Sequence, residues 1–128
     1  MAIEQYDPDT APDAEAWLAT DEATRRLLVE VWHIKAAMIA GNATLHATMH
    51  VVIENQIAMG GEMLPVALKL RHLMAQGLDR HEAIHALSAV MMEHMQRMMR
   101  VEEPWANANE RYLNAVRRLT ARKWLRSA

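Results

Sequence analysis

Two pairs of histidines in this chain share the same spacing. His46 and His50 are four residues apart, and so are His81 and His85. On an α-helix, residues four apart lie on one face, about 6 Å from each other along the axis. Two imidazoles at this spacing can bind one metal ion, as in helical zinc sites of the H-x-x-x-H kind. Each pair is therefore a candidate half of a metal site.

Glu54 continues the face of the first pair by one more helical turn. Its carboxylate is a candidate metal ligand, or a base that activates a water molecule on the metal. Glu82 directly follows a histidine but lies about 100° further round the helix, so we predict a capping role for it. The candidate metal ligands are then His46, His50, Glu54, His81 and His85.

The elements that carry these residues are predicted to be helices. No strand-like alternation occurs, and Pro, Gly, Asn and Asp residues divide the chain into helical segments. We predict an all-α fold, a small helical bundle of about five helices. Their expected ranges are 20–41, 42–59, 65–77, 79–100 and a last helix from 104 onward. The acidic segment 1–19 is predicted to be an irregular arm, and 20–128 a single helical domain.

Individual residues support these boundaries. Thr20 is a candidate N-cap of the first helix, and Gly41 a candidate C-terminal residue. The first helix would pack through an apolar face at helical spacing, and Asp79 with Glu82 resembles a capping box at the start of the fourth. The apolar face consists of Leu27, Leu28, Val31, Ile34 and Met38.

The direction of the helices decides whether the two histidine pairs can meet. Short connections usually make consecutive helices antiparallel, so the second and fourth helices are expected to be parallel to each other. Both pairs lie near the starts of their helices. We therefore expect them at the same end of the bundle and at the same depth.

Composition excludes several other classes of function. The 128 residues contain no cysteine, which excludes disulfides and thiolate chemistry. A net charge of −2 argues against general nucleic-acid binding. No apolar run approaches the length of a membrane span, and the acidic N-terminus does not resemble a signal peptide. A cytoplasmic protein without membrane contact is the expectation.

The remaining histidines and the methionines are expected to be structural. His33 and His72 have no partner at ligand spacing and are predicted to be surface histidines. Met92, Met95 and Met99 continue the face of the second histidine pair. We predict that they pack in the core, with ligation of a soft ion such as Cu(I) as the alternative.

The sequence around the histidines resembles a bacterial domain family of unknown function. The stretches are N-A-T-L-H-A-T-M-H-V-V-I-E-N-Q-I-A at 42–58, G-L-D-R-H-E-A-I-H-A-L-S-A-V-M-M-E at 77–93 and R-Y-L-N-A-V-R-R-L-T-A-R-K-W at 111–124. Members of that family carry N-P-x-x-H-x-x-x-H and G-x-x-R-H-E-x-x-H motifs. The resemblance covers about 42–125 and departs from the pattern at Ala43, where the family has proline. It implies a small helical protein whose histidine motifs belong together, and it supplies no activity.

The leading functional prediction is a metal-binding helical protein with a site built from the two H-x-x-x-H motifs on parallel helices. A transition metal is expected, with zinc and iron as the first candidates. A structural and a catalytic role both stay open, so the sequence decides neither whether the protein is an enzyme nor what its substrate is.

Two alternatives remain. One is a metal-free helical homodimer that acts as a protein-interaction module, with the methionine-rich helix at its interface. A homodimer would also bring the acidic N-terminal end of one copy to the basic C-terminal helix of another. The other alternative is a metal-independent enzyme in which His46 or His85 is a general base oriented by Glu54.

Overall fold

The computed structural model of the chain describes residues 2–36, 38, 42–100 and 106–127. Over these residues the regular structure is helical, without a strand, so the predicted all-α class is confirmed. Within the described residues there are seven helices rather than about five, and a short 3₁₀ turn at Gly61–Met63 follows the third. The helices are α1 Ala14–Ala19, α2 Glu22–Lys35, α3 Ala43–Met59, α4 Leu64–Ala75, α5 Arg80–Met99, α6 Ala108–Arg118 and α7 Ala121–Ser127.

The two central helices begin with side-chain caps at the predicted starts, but the carboxylate of Glu82, predicted to have a capping role, instead accepts a hydrogen bond from the indole N–H of Trp124. The side chain of Asn42 accepts a hydrogen bond from the backbone N–H of Leu45 at the start of α3. The side chain of Asp79 accepts one from the backbone N–H of Glu82 at the start of α5. Gly60 ends α3 with φ 61°, a conformation that residues with a Cβ rarely adopt. These signals work because they satisfy backbone groups that a helix end leaves unpaired.

The N-terminal segment differs from the predicted irregular arm. It contains α1, which begins where the side chain of Asp13 accepts a hydrogen bond from the backbone N–H of Ala16. Trp17 on this helix is fully buried. The segment is acidic on its outside, yet it contributes apolar side chains to the interior.

The first long helix is also shorter than predicted. Asp21, not Thr20, caps α2, because its side chain accepts the backbone N–H of Thr24. Thr20 is buried and its hydroxyl group instead donates to the carbonyl of Ala16. The helix ends at Lys35, and the predicted terminator Gly41 lies outside the described residues.

The predicted apolar face of this helix is wrong for four of its five members, which are exposed; the fifth, Leu28, is partly buried and packs against an apolar cluster. The buried residues of the helix are Val29 and His33, whereas the side chains of Leu27 and Ile34 are 56% and 64% exposed. The helix is therefore rotated so that a narrower face, centred on Val29 and His33, contacts the rest of the protein. His33, predicted to be a surface histidine because it has no partner at ligand spacing, is therefore buried.

The last predicted helix is divided into α6 and α7 by an extended residue, Leu119. The ammonium group of Lys69 donates to the carbonyl oxygens of Arg117 and Leu119 at 3.0 and 2.8 Å. A lysine from another helix thus satisfies carbonyls that a continuing helix would have bonded itself. The predicted start of this helix, Pro104, lies outside the described residues.

The interior consists of two apolar clusters that share α3. One cluster joins α3, α4, α5, α6 and α7, and the other joins the N-terminal segment, α1, α2 and α3. Helix α3 contacts α1, α2, α4 and α5. Met95 and Met99, predicted to be core residues, are 45% and 78% exposed, whereas Met98 in the same last turn of α5 is buried. Among the described helices, none has the length and apolarity that crossing a bilayer requires.

Candidate metal centre

Five histidine side chains from three helices come together where α2, α3 and α5 meet. His33 comes from α2, His46 and His50 from α3, and His81 and His85 from α5. One ring nitrogen of each can be chosen so that all five lie within 4.8 Å of one another. His33, His50 and His81 are buried, whereas His46 and His85 are partly exposed. We call this group the histidine cluster.

The size of the histidine cluster fits one metal ion. Imidazole nitrogens bind at about 2.0–2.1 Å, so two donors on opposite sides of an ion are at most about 4.2 Å apart. The five ring nitrogens of the cluster lie within 4.8 Å of one another, which is close to that donor–donor distance. Two ions about 3.5 Å apart would separate their outermost donors by about 8 Å. The dimensions of the cluster therefore favour a single ion.

The tautomer of His33 is determined by its own helix. Its Nδ1 lies 2.8 Å from the carbonyl oxygen of Val29. A carbonyl oxygen can only accept, so Nδ1 carries the proton and Nε2 carries the lone pair. That Nε2 lies 3.0 Å from Nε2 of His46, inside the histidine cluster.

The tautomer of His50 is determined by a tyrosine from the N-terminal segment. The Tyr6 hydroxyl group donates to Glu54 Oε2 at 2.6 Å and lies 3.3 Å from His50 Nδ1. Burial and the neighbouring carboxylate raise the pKa of Tyr6 well above its usual value, so the phenol keeps its proton. Because that proton points to Glu54, His50 Nδ1–H donates to the phenol oxygen. The lone pair of His50 Nε2 therefore faces the cluster, 3.2 Å from His85 Nε2.

The carboxylate of Glu54 is occupied by an arginine. Arg80 donates to both Glu54 oxygens, each at 2.7 Å, and the two side chains are 4% and 1% exposed. Arg80 also donates to the carbonyl oxygen of Pro8 at 2.9 Å. The predicted ligand Glu54 thus lies behind His50, and its carboxylate is not among the atoms that converge in the histidine cluster.

His81 supplies a direct test of whether the cluster suits a metal. Its Nε2 is buried and has no hydrogen-bond partner among the described residues. Leaving a buried polar atom unpaired costs about 1–3 kcal/mol. A metal ion bound to this nitrogen would remove that cost. The residue is held in place through its backbone N–H, which donates to Asp9 Oδ1 at 3.1 Å.

The protonation states are those that a metal requires. Burial, followed by the charges of neighbouring imidazoles, lowers the pKa of His46 and of His85 to about 4. Burial also lowers the pKa of His50 and His81. At neutral pH these four side chains are therefore neutral imidazoles, with a lone pair available for coordination.

The predicted parallel direction of the two histidine-bearing helices is wrong. Ring centroids pair His46 with His85 at 4.9 Å and His50 with His81 at 5.0 Å, and Glu54 pairs with Arg80. Later residues of α3 thus meet earlier residues of α5, which is an antiparallel order. At least one of the two connections, from α3 to α4 or from α4 to α5, therefore does not make consecutive helices antiparallel.

The structure brings together all four histidines that the spacing predicted, and it adds His33. Helix α2 offers no second ligand at a spacing of four, so the spacing rule could not find His33. His33 follows Val29 by four residues on the buried face of α2, but the packing of the helix determines which face is buried, and the sequence pattern did not indicate it. His72 remains an exposed residue, next to Gln76 and Lys69.

The fold and the site define an all-α protein with a buried cluster of five histidines that could hold a metal ion. Comparisons with protein-family models, with curated proteins and with solved structures find no match to this chain. The function proposed below is therefore based on the geometry of the histidine cluster.

Proposed function

We propose that this protein binds one first-row transition metal ion through the imidazoles of the histidine cluster. The observation that carries the proposal is the convergence of five ring nitrogens, one from each histidine, within 4.8 Å. In addition, Nε2 of His81 is buried and has no hydrogen-bond partner among the described residues. The fixed tautomers of His33 and His50 support it, because each places a lone pair inside the cluster.

Iron is the first candidate for the metal and zinc the second. Imidazole is a suitable ligand for both ions. A structural zinc site takes four donors in tetrahedral geometry. Five donors exceed that number and suit an ion that takes five or six ligands, such as ferrous iron. Zinc would engage four of the five histidines.

Glu54 acts in this proposal as a support for His50 rather than as a ligand. Both of its oxygens already accept hydrogen bonds from Arg80, and one also accepts from Tyr6. The chain Arg80–Glu54–Tyr6–His50 then orients the imidazole and increases its basicity. Such outer interactions commonly change metal affinity by about 10- to 100-fold.

Metal titration of matched variants tests the proposal. Chelator-treated protein is titrated with Zn²⁺, and with Fe²⁺ under anaerobic conditions. We expect one ion per chain for the unaltered protein and for the control His72→Ala, which removes an exposed imidazole. The double variant His50→Ala/His85→Ala should bind at least 100-fold more weakly. Equal affinity in the double variant and the control would contradict the proposal, provided that circular dichroism shows both to be folded.

A further inference from the structure

We propose that the metal ion has an open coordination position that faces an apolar cleft, and that the cleft takes a small ligand with an uncharged, apolar body. This inference depends on the proposed metal site. It assigns a ligand class to that site, which the metal-binding function alone does not.

The cleft lies against the histidine cluster. It has a volume of ≈ 390 Å³, and the side chains of His46, His50 and His85 are part of its wall. Its apolar wall includes Leu45, Met92 and Trp124. The volume lies at the small end of the range for ligand pockets, which suits a molecule of about one ring.

The histidine cluster is closed on one side and accessible on the other. The indole of Trp32 packs against His33 and His81, with ring centroids 5.0 Å apart in both cases. His46 and His85 are the two partly exposed members, and both line the cleft. Five imidazoles leave one position of a six-coordinate ion for an outside ligand. Three of the five imidazoles line the cleft, whereas a second cavity at the cluster has two of them, His33 and His46, in its wall together with Glu30.

Ser88 supplies a second, independent indication of a ligand. Its hydroxyl oxygen is buried, has no hydrogen-bond partner among the described residues, and belongs to the wall of the same cleft. It lies one helical turn beyond His85. A hydroxyl group can donate one hydrogen bond and accept two, so Ser88 can bind a polar atom of a ligand in the cleft.

The cleft wall also indicates what the ligand is not. Its lining residues include no Asp, Glu, Lys or Arg. A charged group on the part of the ligand away from the metal would lose its hydration there without gaining an ion pair. The recognised chemistry is therefore a metal-binding atom attached to an uncharged, apolar group.

Two neutral nitrogen ligands test this inference at pH 8. Imidazole and 4-phenylimidazole both bind metals, and only the second carries an apolar ring. On protein loaded with Co²⁺, we expect 4-phenylimidazole to bind at least tenfold more tightly than imidazole, because its ring is buried in the cleft. Metal-free protein should bind 4-phenylimidazole at least tenfold more weakly. Calorimetry measures both, and the visible spectrum of Co²⁺ reports the metal bond.

Variants test whether 4-phenylimidazole binds in the cleft. Ala89→Phe fills the cleft, whereas Ala75→Phe adds the same ring at an exposed position of α4 outside it. The first should abolish the preference for 4-phenylimidazole and the second should retain it. Ser88→Ala should weaken the binding of 4-phenylimidazole about threefold to tenfold, the usual effect of one hydrogen bond.

The metal content of each sample is measured first, so the two proposals can fail separately. Full metal loading together with equal affinity for the two probes would overturn the apolar cleft as a ligand site. Equal affinity for 4-phenylimidazole with and without metal would overturn the open coordination position. Failure to take up any metal would overturn this inference and the proposed function together.

Discussion

At the scale of single residues, hydrogen bonds decide how the imidazoles present their nitrogens. The carbonyl oxygen of Val29 and the phenol oxygen of Tyr6 each accept a hydrogen bond from the Nδ1–H of a histidine. In both cases Nε2 is left with its lone pair inside the histidine cluster. Neither contact would be needed if the histidines only filled space, because an apolar side chain would do so at lower cost.

Tyr6→Phe is expected to weaken metal binding about 10- to 100-fold. The change removes the oxygen that holds His50 in one tautomer and leaves the ring in place. Tyr112→Phe is the matched control, since its buried hydroxyl group donates to Gln56 on the other side of α3. Competition with a chromophoric chelator measures both affinities. An equal loss in the two variants would show that Tyr6 acts only through general stability.

His33→Ala is expected to weaken metal binding by at least tenfold, whereas His72→Ala should leave it unchanged. The first removes one of the five converging nitrogens, and the second removes an exposed imidazole outside the cluster. The same competition assay applies. Unchanged affinity in His33→Ala would restrict the site to the four histidines that the sequence pattern indicates.

The sequence could indicate four of the five clustered histidines, and the reason is local. Residues four apart on one helix are neighbours whatever the rest of the fold does, so His46 with His50 and His81 with His85 follow from spacing alone. His33 enters from a separate helix, and only the rotation of α2 determines where it points. The engagement of Glu54 by Arg80 is likewise a contact between two helices, which local spacing does not encode.

At the scale of elements, one buried ion pair joins three parts of the chain. Glu54 belongs to α3 and Arg80 to α5, and Arg80 also bonds the carbonyl oxygen of Pro8 in the N-terminal segment. The pair is almost fully buried, so each charge offsets the free-energy cost of burying the other. It lies directly behind His50 and fixes α3 and α5 relative to each other at the histidine cluster.

Arg80→Met is expected to lower the free energy of unfolding by about 3–5 kcal/mol, because it leaves the Glu54 carboxylate buried without its partner. Arg97→Met is the control: it breaks an exposed pair with Glu93 and should cost at most about 1 kcal/mol. Urea denaturation of the chelator-treated proteins measures both changes.

The double variant Glu54→Leu/Arg80→Met tests the reason for that loss. Removing the second charge should restore part of the stability that Arg80→Met loses, since no unpaired charge remains in the interior. A double variant less stable than Arg80→Met alone would show that the loss comes from packing and not from the isolated carboxylate.

Element boundaries were predictable where a local signal sets them, as at Asn42, Asp79 and the glycines after α3. The division between α6 and α7 was not, since it depends on Lys69, about fifty residues earlier in the chain. The antiparallel order of α3 and α5 was missed for a similar reason. The angle at which two helices pack is a property of their contacts, and counting connections does not determine it.

At the scale of the whole molecule, the histidine cluster makes stability depend on pH. His46 and His85 have a pKa of about 4 in the folded protein because they are buried beside other imidazoles, against about 6.5 in the unfolded chain. Between these values the unfolded state binds more protons than the folded state. Acidification through this range therefore favours unfolding, and stability above pH 6.5 is unaffected by these groups.

We expect the free energy of unfolding of the metal-free protein to fall by about 1–2 kcal/mol from pH 7 to pH 5, a value reduced for the partial exposure of both side chains. Urea denaturation at pH 7, 6 and 5 in the presence of a chelator measures this. The variant His46→Gln/His85→Gln should show a shallower decrease. An equally steep decrease in that variant would assign the pH dependence to other groups.

The most direct test of a metal-binding function is the metal content of the untagged protein, purified without chelator and analysed by plasma mass spectrometry. The histidine cluster predicts about one first-row transition metal ion per chain, with iron ahead of zinc, and its loss in His50→Ala/His85→Ala. A metal-free protein that also fails to take up Fe²⁺ or Zn²⁺ on titration would contradict the proposed function.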